Sequence, residues 1–270
     1  MLTQATLEKM HAMKMHAMAE ALEHQIASRE YGPLAFEERI GMMIDSEWNS
    51  REQRKLARRL QIAKLRYPAS VEDIDFTTPR GLDRQVVLSL ASCAWITEKQ
   101  NLLIIGPTGT GKSYLACALS ERVCRSGYTA AYYRMPRLLQ DLAVARGDGS
   151  YGRLLSRLAK TDLLALDDWL LAPLKDSERR DLLEVIEDRY ERGATLIATQ
   201  LPVTAWHGLI GDATLADAIC DRLVHRAHKI TLKGPSMREL RAREKEGKPE
   251  KTPEAKTEKA EKPLVKKPKP

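Results

Sequence analysis

A parallel β-sheet flanked by helices, preceded by a small all-helical domain, is the α/β architecture this 270-residue chain predicts. Three observations lead there. Between residues 99 and 235, short apolar runs alternate with segments of helical periodicity, the pattern of a parallel sheet with helices on both faces. Residues 106–113 read Gly-Pro-Thr-Gly-Thr-Gly-Lys-Ser, which fits GxxxxGK(S/T), a loop that belongs between a strand and a helix. Residues 1–66 carry helical periodicity and no strand-like run.

Taken in order, residues 3–29 predict a helix with Leu7, Met10, Lys14, Met18 and Leu22 near one side. His11, His16 and His24 show no metal-site spacing and read as surface histidines. Tyr31-Gly32-Pro33 breaks the chain, and a second helix follows over 36–50. Arg51 to Arg66 predicts a third helix, closed by Tyr67-Pro68. Its face of Arg51, Arg54, Lys55 and Arg58, with Arg59 at the border, is almost wholly positive and opposes an apolar stripe of Leu56, Leu60 and Ala63. Such a face repels itself unless a polyanion compensates, so these five residues are the candidate contacts to the DNA backbone. A solvated helix face is the plainer alternative. Residues 71–98 are expected to form a lead-in helix covering a nucleotide base.

From there the expected elements are a strand near 102–105, helix 112–125, strand 129–133, and helices 136–145 and 151–159. Strand 162–167, helix 177–191, strand 194–199, helix 214–226 and a last strand near 228–232 complete the series. The domain boundaries fall at 1–66, 67–240 and 241–270, the last a tail of Lys, Glu, Pro and Ala too poor in apolar anchors to order itself.

The loop carries the chemistry. Gly106, Pro107, Thr108, Gly109, Thr110 and Gly111 allow the backbone amides to turn inward on a triphosphate, with Tyr114 following the motif. Lys112 is placed to reach the β- and γ-phosphates and Ser113 to ligate Mg²⁺. Downstream, Asp162-Leu-Leu-Ala-Leu-Asp167-Asp168 is an apolar run ending in two carboxylates. At the end of a strand beside the loop, Asp167 would hold the Mg²⁺ and Asp168 would orient or deprotonate the attacking water. Many ATPases of this design carry Glu at the second position. Aspartate is shorter by about 1.5 Å, and misplacement on that scale costs roughly a hundredfold in rate, so slow ATP hydrolysis is expected. Thr199-Gln200 ends the next strand, where Gln200 would meet the γ-phosphate or the water. Arg222, in Asp221-Arg222-Leu-Val-His-Arg226, is placed to reach the nucleotide of a neighbouring subunit.

Composition limits the function classes. The longest apolar runs are strand-length, too short for a membrane-spanning helix, and the first residues lack the apolar stretch of a signal peptide. Cys93, Cys117, Cys124 and Cys220 have neither metal-ligand nor redox spacing, which fits core thiols in a reducing cytoplasm. The net charge of +7 is uneven: Arg51–Arg66 holds 7 basic and 1 acidic residue, Arg238–Pro270 12 and 7. The rest of the chain is mildly acidic.

Several separated blocks, in order, resemble the IstB family, the AAA+ helper ATPases of insertion-sequence transposition, related to the helicase loader DnaC. They are the 106–113 loop, Leu-Leu-Ala-Leu-Asp-Asp-Trp169, Ala-Thr-Gln200-Leu-Pro-Val-Thr-Ala-Trp-His207, Leu-Ala-Asp-Ala-Ile-Cys-Asp-Arg-Leu-Val-His225 and Gly-Pro-Ser-Met-Arg238. The resemblance implies an ATP-dependent, DNA-binding AAA+ regulator that forms homo-oligomers on double-stranded target DNA and recruits or activates a cognate transposase. It also implies Gln200 as sensor 1, Arg222 as a trans-acting arginine finger and Arg238 as a candidate sensor 2, although few residues follow Arg238 to build a lid domain. A DnaC-type loader differs in having a replicative helicase as partner. A metabolic P-loop kinase would need an acceptor pocket and no oligomeric finger, and the basic N-terminal helix argues against it.

Overall fold

The computed structural model describes residues 2–245. Helices α1 (Leu2–Ala12), α2 (His16–Ala27) and α3 (Phe36–Ala63) lead, followed by α4 (Arg84–Ala91) and the single turn α5 (Ala94–Thr97). The sheet unit is β1 (Asn101–Ile105), α6 (Lys112–Arg125), β2 (Ala130–Arg134), α7 (Met135–Gly147), α8 (Tyr151–Lys160), β3 (Leu163–Asp167), α9 (Asp176–Arg189) and β4 (Ala194–Thr199). It continues through α10 (Trp206–Ile210), α11 (Ala213–Val224), β5 (Ala227–Thr231) and α12 (Met237–Lys245).

The five strands pair in parallel in the order β2-β3-β4-β1-β5. Strands β1, β3 and β4 are buried along almost their whole length, because helices cover both faces and leave no side for polar residues. One core packs α6, α4 and the end of α3 on the sheet; the other packs α7 to α11 on the opposite face. The expected α/β class is therefore the observed one.

Three local expectations need correction. The predicted helix 3–29 is two helices, broken where Lys14 takes a left-handed backbone at φ 58°. The predicted helices 36–50 and 51–66 are one 28-residue helix, because Ser50 and Arg51 change the composition without supplying a breaker. The predicted lead-in helix 71–98 is mostly loop. Asp75 accepts hydrogen bonds from Thr77 and Thr78, Pro79 and Gly81 interrupt the backbone, and helix resumes only where Asp83 caps Gln85. Strand β3 reaches the loop without pairing with β1: β4 lies between them, and Asp167 still lines one cavity with Lys112 and Ser113. Strand order is a property of crossovers, which no local pattern encodes.

Helix α3 ties the N-terminal helices to the sheet. Its start packs on α2, where the buried Glu47 accepts backbone amides from Ala17 and Met18, two orphan donors of the α2 N-terminus. Its end buries Ala63 and lays Leu56 and Leu60 against the core under α6. Helix α12 crosses the boundary drawn at 240; the remainder of the expected tail, 246–270, lies outside the described residues.

Candidate functional site

The parallel strands end together on one side of the sheet, where α/β folds bind ligands. A cavity of about 550 Å³ opens there, within the usual size for a small-molecule site. Of the loop residues predicted from the sequence, Thr108, Gly109, Gly111, Lys112, Ser113 and Tyr114 line it. Gly106, Pro107 and Thr110 shape the loop from behind instead: Thr110 is buried and its hydroxyl donates to the Pro107 carbonyl. The glycines are required. A Cβ on Gly106 would stand 2.6 Å from the Leu232 carbonyl oxygen, and Gly111 sits at φ 96°, with Arg80 where its Cβ would project.

Lys112 donates to the Pro107 carbonyl at 2.8 Å, curled into its own loop. Burial pushes its ammonium below the usual lysine range; the Asp167 and Asp168 carboxylates oppose this, and the Arg238 charge adds to the lowering. A phosphate is the partner that would relieve that desolvation. Asp167 ends β3, is buried, and accepts the Tyr132 hydroxyl at 2.5 Å, with the Arg66 guanidinium at 3.8 Å. Burial, and then the Asp167 carboxylate, drive the Tyr132 phenol far above its ordinary range, so it is a fixed donor. Asp168 sits in a left-handed backbone, φ 57°, and is bound by the Arg134 guanidinium at 2.6 Å. Gln200, one residue past β4, accepts the Thr108 hydroxyl at 2.7 Å. Arg238 lines the same cavity, because Met237 at the start of α12 donates its amide to the Gly109 carbonyl.

The cavity thus gathers the loop, Asp167, Asp168, Gln200 and Arg238 from four separate chain segments. It also gathers residues that sequence reasoning missed. Arg66, Tyr67 and Pro68 wall it, and Arg80 clamps the loop by donating to the Thr110 and Asp75 carbonyls. Arg134 lines the cavity from β2, and Tyr132 of the same strand reaches it only through its hydrogen bond to Asp167. The one available signal was an arginine ending a buried strand, Arg134, which no motif distinguishes from a surface charge.

Arg222 is elsewhere. It pairs with Glu187 at 2.6 Å and lies over the Tyr190 ring, while the carbonyls of Arg222 and Leu223 accept the Asn101 side-chain amide at the start of β1. The loop follows the far end of that strand. Five residues of strand separate the two, about 16 Å.

The predicted basic face of α3 is real but not unrelieved. Arg51 bonds Glu47 at 2.7 Å, Arg54 approaches the same carboxylate at 3.6 Å, and Lys55 bonds Glu52 at 2.8 Å. The self-repulsion expected of this face is partly relieved, because the buried Glu47 and the neighbouring Glu52 each hold one or two of its cations. Arg58 is exposed, while Arg59 is half-buried with its Nε lacking a hydrogen-bond partner. Buried Cys117 and Cys124 are core thiols, and burial pushes the Cys124 thiol up to about 11. Among the described residues, no helix is long and apolar enough to cross a membrane.

A parallel five-stranded sheet bearing a P-loop, a strand-end acidic pair and an adjacent strand-end amide defines an AAA+ P-loop ATPase. Within that class the chain belongs to the IstB-like ATP binding protein family, whose model matches residues 8–245. A Sinorhizobium fredii protein named as an insertion sequence ATP-binding protein is 50% identical over 238 residues, 88% of this chain and 97% of its own. The corresponding protein of insertion sequence IS1162 from Pseudomonas fluorescens is 46% identical over 215 residues, 79% of this chain and 92% of its own. Among solved structures, the DnaC helicase loader superposes with a TM-score of 0.52 at 18% identity, over 63% of this chain and 100% of that one. At that identity the likeness is one of fold.

Proposed function

We propose that this ATPase regulates DNA transposition: it oligomerises on double-stranded target DNA in an ATP-dependent manner and recruits or activates a transposase. The insertion-sequence relatives support the setting. The observation that carries the oligomeric part is the position of Arg222 at the opposite end of β1 from its own loop. An arginine held there serves a nucleotide only across a subunit boundary.

In this reading the loop amides and Lys112 hold the triphosphate of ATP. Ser113 and Asp167 are hard oxygen donors converging on the same cavity, the set Mg²⁺ takes alongside phosphate oxygens. Asp167 is buried with one short hydrogen bond and a guanidinium only at 3.8 Å, so it retains acceptor capacity for a cation. Bound there, Mg²⁺ would supply charge neutralisation on the phosphates. Asp168 orients a water for attack on the γ-phosphorus and takes its proton as the bond to the ADP oxygen breaks; Gln200 positions that water or the γ-phosphate. Arg238 adds positive charge beside Lys112. Since Arg134 holds Asp168 in the isolated protomer, hydrolysis waits for that pair to open.

Mixing tests the assignment. Arg222→Ala binds nucleotide but loses ATPase activity, Lys112→Ala loses nucleotide binding, and a mixture regains activity where an intact loop meets an intact arginine. A mixture as inactive as its components, together with an active wild-type monomer, rules out the trans site.

A further inference from the structure

Ile44, Trp48, Arg51, Lys55, Arg58 and Ile62 recur along α3 at intervals of three or four residues and so share one stripe. All six are exposed. Trp48 is 64% exposed, whereas Trp95, Trp169 and Trp206 are at most 3% exposed. The residues by which the helix packs lie off this stripe: Met43 and Glu47 are buried beside α2, and Leu56, Leu60 and Ala63 pack on the sheet core. The indole therefore contributes to no core. An isolated apolar side chain on a surface is ordinary; a large aromatic one set in line with three cations is a recognition pattern.

The chemistry of the stripe selects its occupant. Arg51, Lys55 and Arg58 attract a polyanion, and Trp48 offers a flat face with an apolar body. A nucleic acid supplies both complements in one molecule, phosphates for the cations and a base for the indole, and stacking on an aromatic side chain is indifferent to which base it is. Trp48 and Arg58 lie about 15 Å apart along the helix axis, roughly four base steps. A base inside an intact duplex presents no free face, so stacking needs one that is unpaired or prised from its neighbour.

We infer that Trp48 is a base-stacking residue, which makes α3 selective for DNA carrying an exposed base over continuously paired duplex. The inference rests on the proposed DNA-binding reading of α3. It adds a non-electrostatic contact, one that salt does not screen.

The test uses the full chain, a fully paired duplex, and the same duplex carrying one unpaired thymine. Because the other three tryptophans are buried, the emission lost in Trp48→Phe reports on this side chain. The expected result is quenching of Trp48 emission and protection from acrylamide on binding, stronger with the unpaired thymine. Trp48→Ala is expected to weaken binding to that DNA by roughly 5- to 150-fold with an unchanged salt slope, and Trp48→Phe to recover most of the loss. Trp48 remaining equally accessible on saturating DNA, while Arg51→Ala and Lys55→Ala still flatten the salt slope, overturns the stacking role and leaves the DNA reading standing. If neither probe responds, the DNA reading of α3 fails and the inference with it. Protection that grows with protein concentration in the absence of DNA assigns the indole to a contact between copies and also overturns it.

Discussion

Replacing Arg134 with alanine removes the partner that holds Asp168, and basal hydrolysis is expected to rise. The guanidinium and carboxylate are 2.6 Å apart, with side chains 54% and 24% exposed. Fully exposed pairs contribute about 0.2–1 kcal/mol, and charged hydrogen bonds about 1.5–3 kcal/mol. A half-exposed pair on a fixed strand end falls between, near 1–2 kcal/mol. Asp168 is then free in roughly one protomer in 5 to one in 30, since 1.4 kcal/mol is a factor of ten. If the engaged carboxylate cannot serve the water, Arg134→Ala raises kcat in the absence of DNA by about 5- to 30-fold. Steady-state phosphate release at saturating ATP measures it. The gain must disappear in an Asp168→Asn background, because the two residues act as a pair. A kcat for Arg134→Ala that is unchanged or lower refutes the reasoning and makes Arg134 an aid to the reaction, not a restraint.

Lys112→Ala is expected to abolish ATP binding and ATP-dependent assembly, while Asp168→Asn keeps binding and slows hydrolysis, trapping the assembled state on DNA; wild-type turnover in the Asn variant removes Asp168 from the chemistry. Alanine at Arg54, Lys55 and Arg58 together is expected to flatten the slope of log K against log salt by roughly 2 to 3 units per protomer if all three meet phosphates, and an unchanged affinity and slope assigns the face to a protein partner. Glu47 is held below the usual carboxylate range first by its hydrogen bond from Arg51, opposed by burial. A lowered folded-state pKa stabilises above the ordinary carboxylate range and is lost as pH falls through that range and below. Acid, or Glu47→Gln at neutral pH, is therefore expected to accelerate hydrogen exchange at the α2 N-terminus, and unaltered Ala17 and Met18 amides under both conditions exclude the capping role.

The parts of the site legible in the sequence are those in which chemistry and chain order coincide. Residues 106–113 form one continuous loop, and Asp167-Asp168 follow a buried run directly, so a local pattern suffices. The restraints around them are long-range. Arg134 meets Asp168 across 34 residues, Arg80 meets Thr110 across 30, and Tyr132 meets Asp167 across 35. Each depends on which strands are neighbours, and β2 lies beside β3 through a crossover that the alternation of elements leaves open. The N-terminal sequence predicts a break at Ser50 that the helix does not make and continuity at Lys14 where the helix ends. At Ser50 only the surface composition changes; at Lys14 a left-handed turn occurs at a residue with no breaker character.

Helix α3 joins the two halves of the molecule in a way that constrains any coupling between them. At about 42 Å for 28 residues, it carries the cationic stripe near its middle and ends three residues before Arg66, which approaches Asp167 at 3.8 Å. Leu56, Leu60 and Ala63 fix that end in the sheet core, so the helix cannot tilt freely at the stripe without loading the same packed contacts that position Arg66. A polyanion along the stripe and a cation at Asp167 both alter the charge partners available to this one element. Linkage then fixes the form of the result: whatever factor bound nucleotide applies to DNA affinity, DNA must apply to nucleotide affinity. Arg66→Ala separates transmission from binding. It leaves the stripe intact but also removes part of the cavity wall, so nucleotide affinity alone is measured first, and the shared factor should fall toward one in both titrations beyond any change in that affinity. An unchanged shared factor alongside a weakened affinity for nucleotide alone would place the effect in a damaged site instead of the connection.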